Sequence, residues 1–161
     1  MFNRLKSALL CLFIVCCAPV VAEDSIKSFV SGSYAQILNM KQGKPFVLVF
    51  WSLECVPCYK ELAMLGKLSP RQFDLVLVST DDAAADKDIR ETLIKFELQT
   101  TDVWKFSNTL IERLRYEVDA TWYGELPRSY LFDGQHQRQV VSGLLSHKII
   151  NAWMQEHSLG R

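Results

Sequence analysis

Cys55 and Cys58 stand two residues apart in FWSLECVPCYKEL, Phe50 to Leu62. Such a pair can clamp a metal, staple a short loop, or cycle between dithiol and disulfide. A tetrahedral zinc site usually takes a second Cys or His pair at short spacing. The histidines, His136, His147 and His157, lie far along the chain and are not paired. A structural staple closing so short a loop removes little entropy from the unfolded chain. A Cu(I) dithiolate is a further possibility for two thiols, and no His or Met adjoins the pair to favour it. The pattern therefore points to redox exchange, with no metal and no cofactor required.

The flanking residues say where the sulfurs sit. PFVLVFW, Pro45 to Trp51, is a continuous apolar, β-rich run and predicts a central strand buried on both faces. The next helix starts at the cysteines and runs to about Leu68, with Leu62, Leu65 and Leu68 as an inward stripe, Met64 beside them, and Pro70 as its stop. Cys55 then falls at a helix N-terminus, where unpaired N–H groups and the macrodipole favour a negative charge. A thiolate there has its pKa pulled below the ~8.5 of a free thiol. Pro57 in the first turn costs little, because its missing N–H had no partner to lose. Cys58 lies one turn in and is the more buried sulfur. Cys55 is thus the attacking sulfur and Cys58 the one that resolves the mixed disulfide.

The compartment agrees. Met1 to Ser7 carries Arg4 and Lys6, and Ala8 to Ala22 is apolar and ends in small residues. Basic region, short apolar core and small residues describe a secretory signal over 1–22, cut after Ala22. The apolar run is short of the roughly 20 residues that span a bilayer, although an uncleaved anchor stays open. Cys11, Cys16 and Cys17 leave with the signal, so the mature chain keeps Cys55 and Cys58 alone. An exported, periplasmic protein enters a space where disulfides persist. The 161 residues leave room for one domain, 23–161, and 18 basic against 18 acidic residues give no net charge. Nothing in that balance favours nucleic acid as a partner.

Beyond the cysteines, a short helix is expected near Tyr34–Met40 and a second buried strand over Phe73–Thr80. Ala83 to Glu97 has helical spacing at Ile89, Leu93, Ile94 and Phe96, and Asp81-Asp82 is placed to cap it. Asp102–Phe106 reads as a short strand, succeeded by a helix capped by Ser107 or Asn108 and running to about Tyr116. Ser129–Phe132 is a strong strand, Asp133-Gly134 a turn, and Arg138–Gly143 its hairpin partner. Ser146 caps a last helix, His147 to His157. The alternation predicts a layered α/β domain with a mixed central sheet flanked by helices.

FVLVFWSLECVPCYKEL resembles the active-site segment of the TlpA/ResA-like thiol–disulfide oxidoreductases, exported members of the thioredoxin superfamily. YEVDATWYGELPRSYLFDGQHQRQVVSGLLS, Tyr116 to Ser146, is similar to their segment around the cis-proline and the hairpin after it. The resemblance covers nearly all of Pro45 to Trp153. It implies a thioredoxin-like fold with a central insertion at about Asp81 to Arg115, and it maps Pro127 onto the cis-proline facing the cysteines. Backbone groups of Leu126 would then pair with an extended substrate strand. Trp51 is a candidate to pack beside the active site and touch substrate, or else plain core. Trp122 and Tyr123 are candidates for an apolar rim or for a loop anchor.

Three departures bear on tuning. Glu54 stands where the family has Trp; a carboxylate beside Cys55 works against its thiolate, unless it is a solvated, well-screened side chain with little effect. Lys60 is close enough to add positive potential; Lys60 and Glu61 otherwise read as a solvated helix face. Val49 occupies the strand position that often holds a polar or acidic residue, so no buried acid is evident to accept the proton of Cys58. Val56 replaces the Glu, Pro or Gly usual after the first Cys. The resemblance implies exchange of electrons with protein thiols and disulfides, and a monomer is expected. It favours a reductase recharged by a membrane thiol donor, with targets such as cytochrome c maturation components. An oxidase or isomerase, or a non-catalytic binding module of the same fold, are the alternatives.

Overall fold

In the computed structural model, residues 26–68, 73–81, 85–107 and 110–157 are described. The expected signal, its three cysteines, Pro70, Asp82 and Asn108 lie outside these residues. Along them run β1 (Lys27–Phe29), α1 (Ser33–Met40), β2 (Phe46–Trp51), α2 (Val56–Leu68), β3 (Asp74–Ser79) and α3 (Asp86–Lys95). The remaining elements are β4 (Asp102–Phe106), α4 (Ile111–Val118), β5 (Arg128–Phe132), β6 (Arg138–Ser142) and α5 (His147–His157). The strands form one mixed sheet in the order β1-β4-β3-β2-β5-β6. β1, β4, β3 and β2 are mutually parallel, and β5 and β6 each run antiparallel to the preceding neighbour in that order.

All six residues of β2 are buried, as the unbroken apolar run predicts. Strand periodicity sends them alternately to two cores. Val47, Val49 and Trp51 join Leu62 and Leu65 of α2, Ile89 and Leu93 of α3, and Ile150 and Trp153 of α5. Phe46, Leu48 and Phe50 join Ile37 of α1, Leu114 and Val118 of α4, and Tyr130. Each large side chain taken fully from water contributes roughly 1.5–3 kcal/mol, so a strand buried on both faces firmly anchors the cysteine turn at its end. α3 and β4 fill the span expected for the insertion, and β4 enters the sheet between β3 and β1.

Some local expectations are corrected. α4 begins at Ile111 with Leu110 as its N-cap and no capping side chain, rather than at a Ser107 cap, and it continues to Val118. The N-cap of α3 is Ala85, so Asp81 does not cap that helix. Ile94 points outward at 60% exposure while Ile89 and Leu93 carry the inner face, because the narrow stripe of a two-and-a-half-turn helix is filled by those two. Ser146 does cap α5, its hydroxyl accepting from the Ile149 N–H at 3.3 Å.

Gly66, in the last turn of α2, faces the end of α3 so closely that an added Cβ would lie 1.9 Å from the Phe96 carbonyl oxygen. In an open helix Gly→Ala is stabilising by about 0.5–1 kcal/mol. Here the neighbour is backbone and cannot swing away. Gly66→Ala is therefore expected to destabilise by about 1–3 kcal/mol, the range for overpacking. A urea unfolding midpoint that falls relative to wild type checks the sign; a rise would contradict it.

Candidate active site

β2 ends at Trp51 and the chain turns through Ser52, Leu53 and Glu54 to Cys55. This turn is tied on every side. The Asp81 carboxylate, just past β3, accepts from the Ser52 hydroxyl at 2.8 Å, the Leu53 N–H at 3.0 Å and the Ser79 hydroxyl at 2.6 Å. Ser52 Oγ accepts from the Glu54 N–H at 3.2 Å, and the Tyr59 hydroxyl donates to the Leu53 carbonyl at 2.8 Å. Asp81 thus fixes the approach to the cysteines instead of opening the next helix. Its type and its place at a strand end are visible in the sequence; its partner across the sheet end is not.

Cys55 is the residue before α2 and acts as its N-cap. The Cys58 N–H donates to Cys55 Sγ at 3.2 Å and to the Cys55 carbonyl at 3.0 Å. A side chain accepting from the third helical N–H is the ordinary capping geometry, here with sulfur in place of oxygen. The two sulfurs are bonded, with the Cα atoms 5.3 Å apart. Cys55 is partly exposed and Cys58 is wholly buried, the asymmetry expected of an attacking and a resolving sulfur.

Glu61 corrects the sequence reading. It is not on a solvated face: it is 1% exposed. Its carboxylate accepts from the Ser129 hydroxyl and, at 2.8 Å, from the Leu145 N–H. Burial pushes the Glu61 carboxyl up, and the Ser129 and Leu145 hydrogen bonds pull it back only in part. Residues three apart share a helix face, with about 5–6 Å between Cβ atoms, so Glu61 adjoins Cys58 on the inner side of α2. Ser129 pairs with Val49 in the β2–β5 ladder. The buried acid missing at Val49 is thus supplied beside it, from the helix. The signal is present in the sequence: Cys58, Glu61, Leu62 and Leu65 fall on one stripe.

The β2–β5 register sets Phe50 against Arg128, so Pro127 reaches the sheet end where β2 passes into the cysteine turn. The Leu126–Pro127 peptide bond is cis. Pro127 is buried, and its carbonyl accepts from the Gly143 N–H at 2.9 Å. Leu126 is half-buried and packs on the core that also holds Cys58. Trp51 has no exposed surface, so it is core beneath the cysteine turn and offers no face to a substrate. Trp122 is likewise an anchor, buried with its indole N–H donating to the Glu125 carbonyl at 3.0 Å, while its neighbour Tyr123 is 89% exposed. Glu54 and Lys60 are both exposed.

No family model and no curated protein matches the chain. Solved structures do. A secreted Mycobacterium tuberculosis disulfide oxidoreductase homologous to E. coli DsbE aligns at 18% identity and a TM-score of 0.56, over 73% of this chain and 85% of that one. The M. tuberculosis DsbF aligns at 20% identity and 0.58, over 74% and 85%. The thioredoxin domain of a thiol–disulfide oxidoreductase from Bacteroides vulgatus aligns at 20% and 0.58, over 75% and 84%. The chain has the thioredoxin-like fold, with a disulfide of CxxC spacing at the start of α2.

The raised Glu61 carboxyl has a consequence for stability. The folded state holds this proton more tightly than the unfolded chain, so the contribution is full below the ordinary carboxylate range and is lost as pH rises through the folded pKa. Glu61→Gln keeps the shape and removes the titration. It is expected to flatten the fall in stability of the oxidised protein above about pH 4.5, the onset set by the ordinary carboxyl pKa. Urea midpoints from pH 4 to pH 8 compare the two; parallel curves would contradict the burial argument.

Proposed function

We propose that the chain is an exported thiol–disulfide oxidoreductase that works as a reductase of protein disulfides. One observation carries this reading: a partly exposed sulfur caps the N-terminus of α2 and is bonded to a fully buried sulfur one turn below. The leader pattern over 1–22 supports export, and the resemblance supports the reducing direction and recharging by a thiol donor at the membrane.

In the reduced protein, the Cys55 thiolate attacks one sulfur of a substrate disulfide. A mixed disulfide forms and the other substrate sulfur leaves as a thiolate. Cys58 then gives up its proton and attacks Cys55 Sγ. The Cys55–Cys58 bond closes, the second substrate thiolate leaves, and two electrons have passed to the substrate. Cys58 is sealed from water, so its proton needs an acceptor inside the fold. Glu61 is the buried carboxyl on the same helix face, and its raised affinity for protons suits that task. The sheet end at Leu126 and Pro127 is the seat for an extended substrate strand.

Insulin reduction driven by dithiothreitol tests the activity. Cys55→Ser is expected to reduce the rate to the uncatalysed background. Cys58→Ser is expected to stall as a mixed disulfide visible on a non-reducing gel. Equal rates for wild type and Cys55→Ser would remove the reading. Equilibration of Cys55–Cys58 with glutathione tests the direction: about 30 mV corresponds to ~1.4 kcal/mol, so a strongly reducing position supports a reductase and a strongly oxidising one supports an oxidase.

A further inference from the structure

Arg128 comes directly after Pro127 and opens β5 with a side chain 7% exposed. Its guanidinium donates in three directions: to Glu125 Oε1 at 2.6 Å, to Asp119 Oδ2 at 2.8 Å and to the Tyr130 hydroxyl at 3.2 Å. Asp119 and Glu125 bracket the segment that joins α4 to Leu126. One planar cation therefore grips both ends of this loop, and it does so with the fork geometry that a lysine lacks. The rest of the loop is fastened as well. Asp119 Oδ1 accepts from the Thr121 N–H at 2.9 Å and the Thr121 hydroxyl at 2.7 Å, and Arg115 Nη1 donates to the Tyr123 carbonyl at 3.3 Å. Ser142 at the end of β6 donates to Glu125 Oε1 at 2.9 Å.

The buried Arg128–Asp119 pair is a poor source of net stability, because desolvation offsets the attraction within it, and the Glu125 arm reaches out to solvent. What the cluster supplies is a fixed position. In the middle of a loop so heavily tied, Tyr123 is 89% exposed. A large aromatic side chain held out on a rigid support costs little entropy to immobilise in a complex, which is the form binding anchors take. The same loop delivers Leu126 to the sheet end where β2 turns towards Cys55.

We propose that Arg128 is a positioning residue for polypeptide substrates: by clamping Asp119 and Glu125 it fixes the loop that presents Tyr123 and Leu126 to the protein whose disulfide Cys55 attacks. The inference rests on the oxidoreductase reading and adds to it a separate determinant of affinity, outside the sulfur chemistry. The clamp acts on where the polypeptide sits, so it governs KM for a protein substrate and leaves the poise of the cysteine pair alone.

The test measures insulin reduction at saturating dithiothreitol, together with the glutathione equilibrium of Cys55–Cys58, for wild type, Arg128→Met, Arg128→Lys and Glu125→Gln. Arg128→Met strips Asp119 of its main cation and carries a folding risk, whereas Arg128→Lys keeps the charge but loses the fork and Glu125→Gln leaves the Arg128–Asp119 pair in place. Arg128→Met is expected to raise KM about fivefold or more, and Arg128→Lys and Glu125→Gln about two- to threefold, with kcat and the glutathione equilibrium within about twofold, the pattern of lost uniform binding. An unchanged KM in both mild variants would overturn the inference. A fall in kcat at constant KM, or a displaced glutathione equilibrium, would also overturn it by showing that the cluster acts on the cysteines. Wild type that equilibrates with glutathione but does not reduce insulin removes the underlying reading, and this is seen before any variant is compared.

Discussion

The contact between the Cys58 N–H and Cys55 Sγ, at 3.2 Å, organises the rest of the site. A helix must find acceptors for its first N–H groups. Here one of those acceptors is a sulfur of the disulfide itself, so the start of α2 and the position of Cys55 are fixed together. Everything upstream serves to put that sulfur at the helix start. β2 is buried on both faces, and Asp81 and Tyr59 pin the turn between β2 and Cys55. Everything downstream of Cys55 is set by the helix: Pro57 fits the turn where no donor is missed, Cys58 is drawn inward, and Glu61 comes to rest under it.

The site divides into two electrostatic environments on opposite sides of the sheet. On the α2 side, one carboxyl sits among apolar side chains with two neutral donors, and burial holds its proton more firmly than usual. On the α4 side, burial opposes the charge of Asp119, but the Thr121 donors, Arg128, and Arg138, whose guanidinium lies 3.7 Å from Asp119 Oδ2, outweigh it and hold that carboxyl far below the ordinary range. Burial pushes the Tyr130 phenol in the same cluster up to about 12. One carboxyl is thus held towards its neutral form by burial and the other towards its charged form by the donors and cations around it.

Much of this is legible in the chain. The apolar run of β2, the CxxC at its end and the turn-linked hairpin of β5 and β6 are local signals, and strand and helix periodicity reads them directly. Pro127 is placed by family resemblance, since nothing in LPRS alone distinguishes one isomer from the other. Glu61 escapes a reading by residue type, because a charged residue beside Lys60 looks solvated until its register with Cys58 and Leu65 is counted. Trp51 and Trp122 are left between two readings by residue type, since a large aromatic near a site suits either a rim or the core, and burial decides for the core in both. Asp81, Asp119 and Arg128 depend on partners 9 to 29 residues away, which only the closed sheet brings together.

Cys55, Cys58 and Glu61 all ride at the start of a single helix, whereas the donors to Glu61, Ser129 and Leu145, belong to β5 and to the stretch after β6. A rigid slide of α2 over the sheet would carry the two sulfurs and the carboxyl along together and preserve their spacing. The same slide would draw the carboxyl away from its two donors. The acidity of this buried carboxyl therefore depends on how α2 is seated against β5 and the stretch after β6, not on the helix alone.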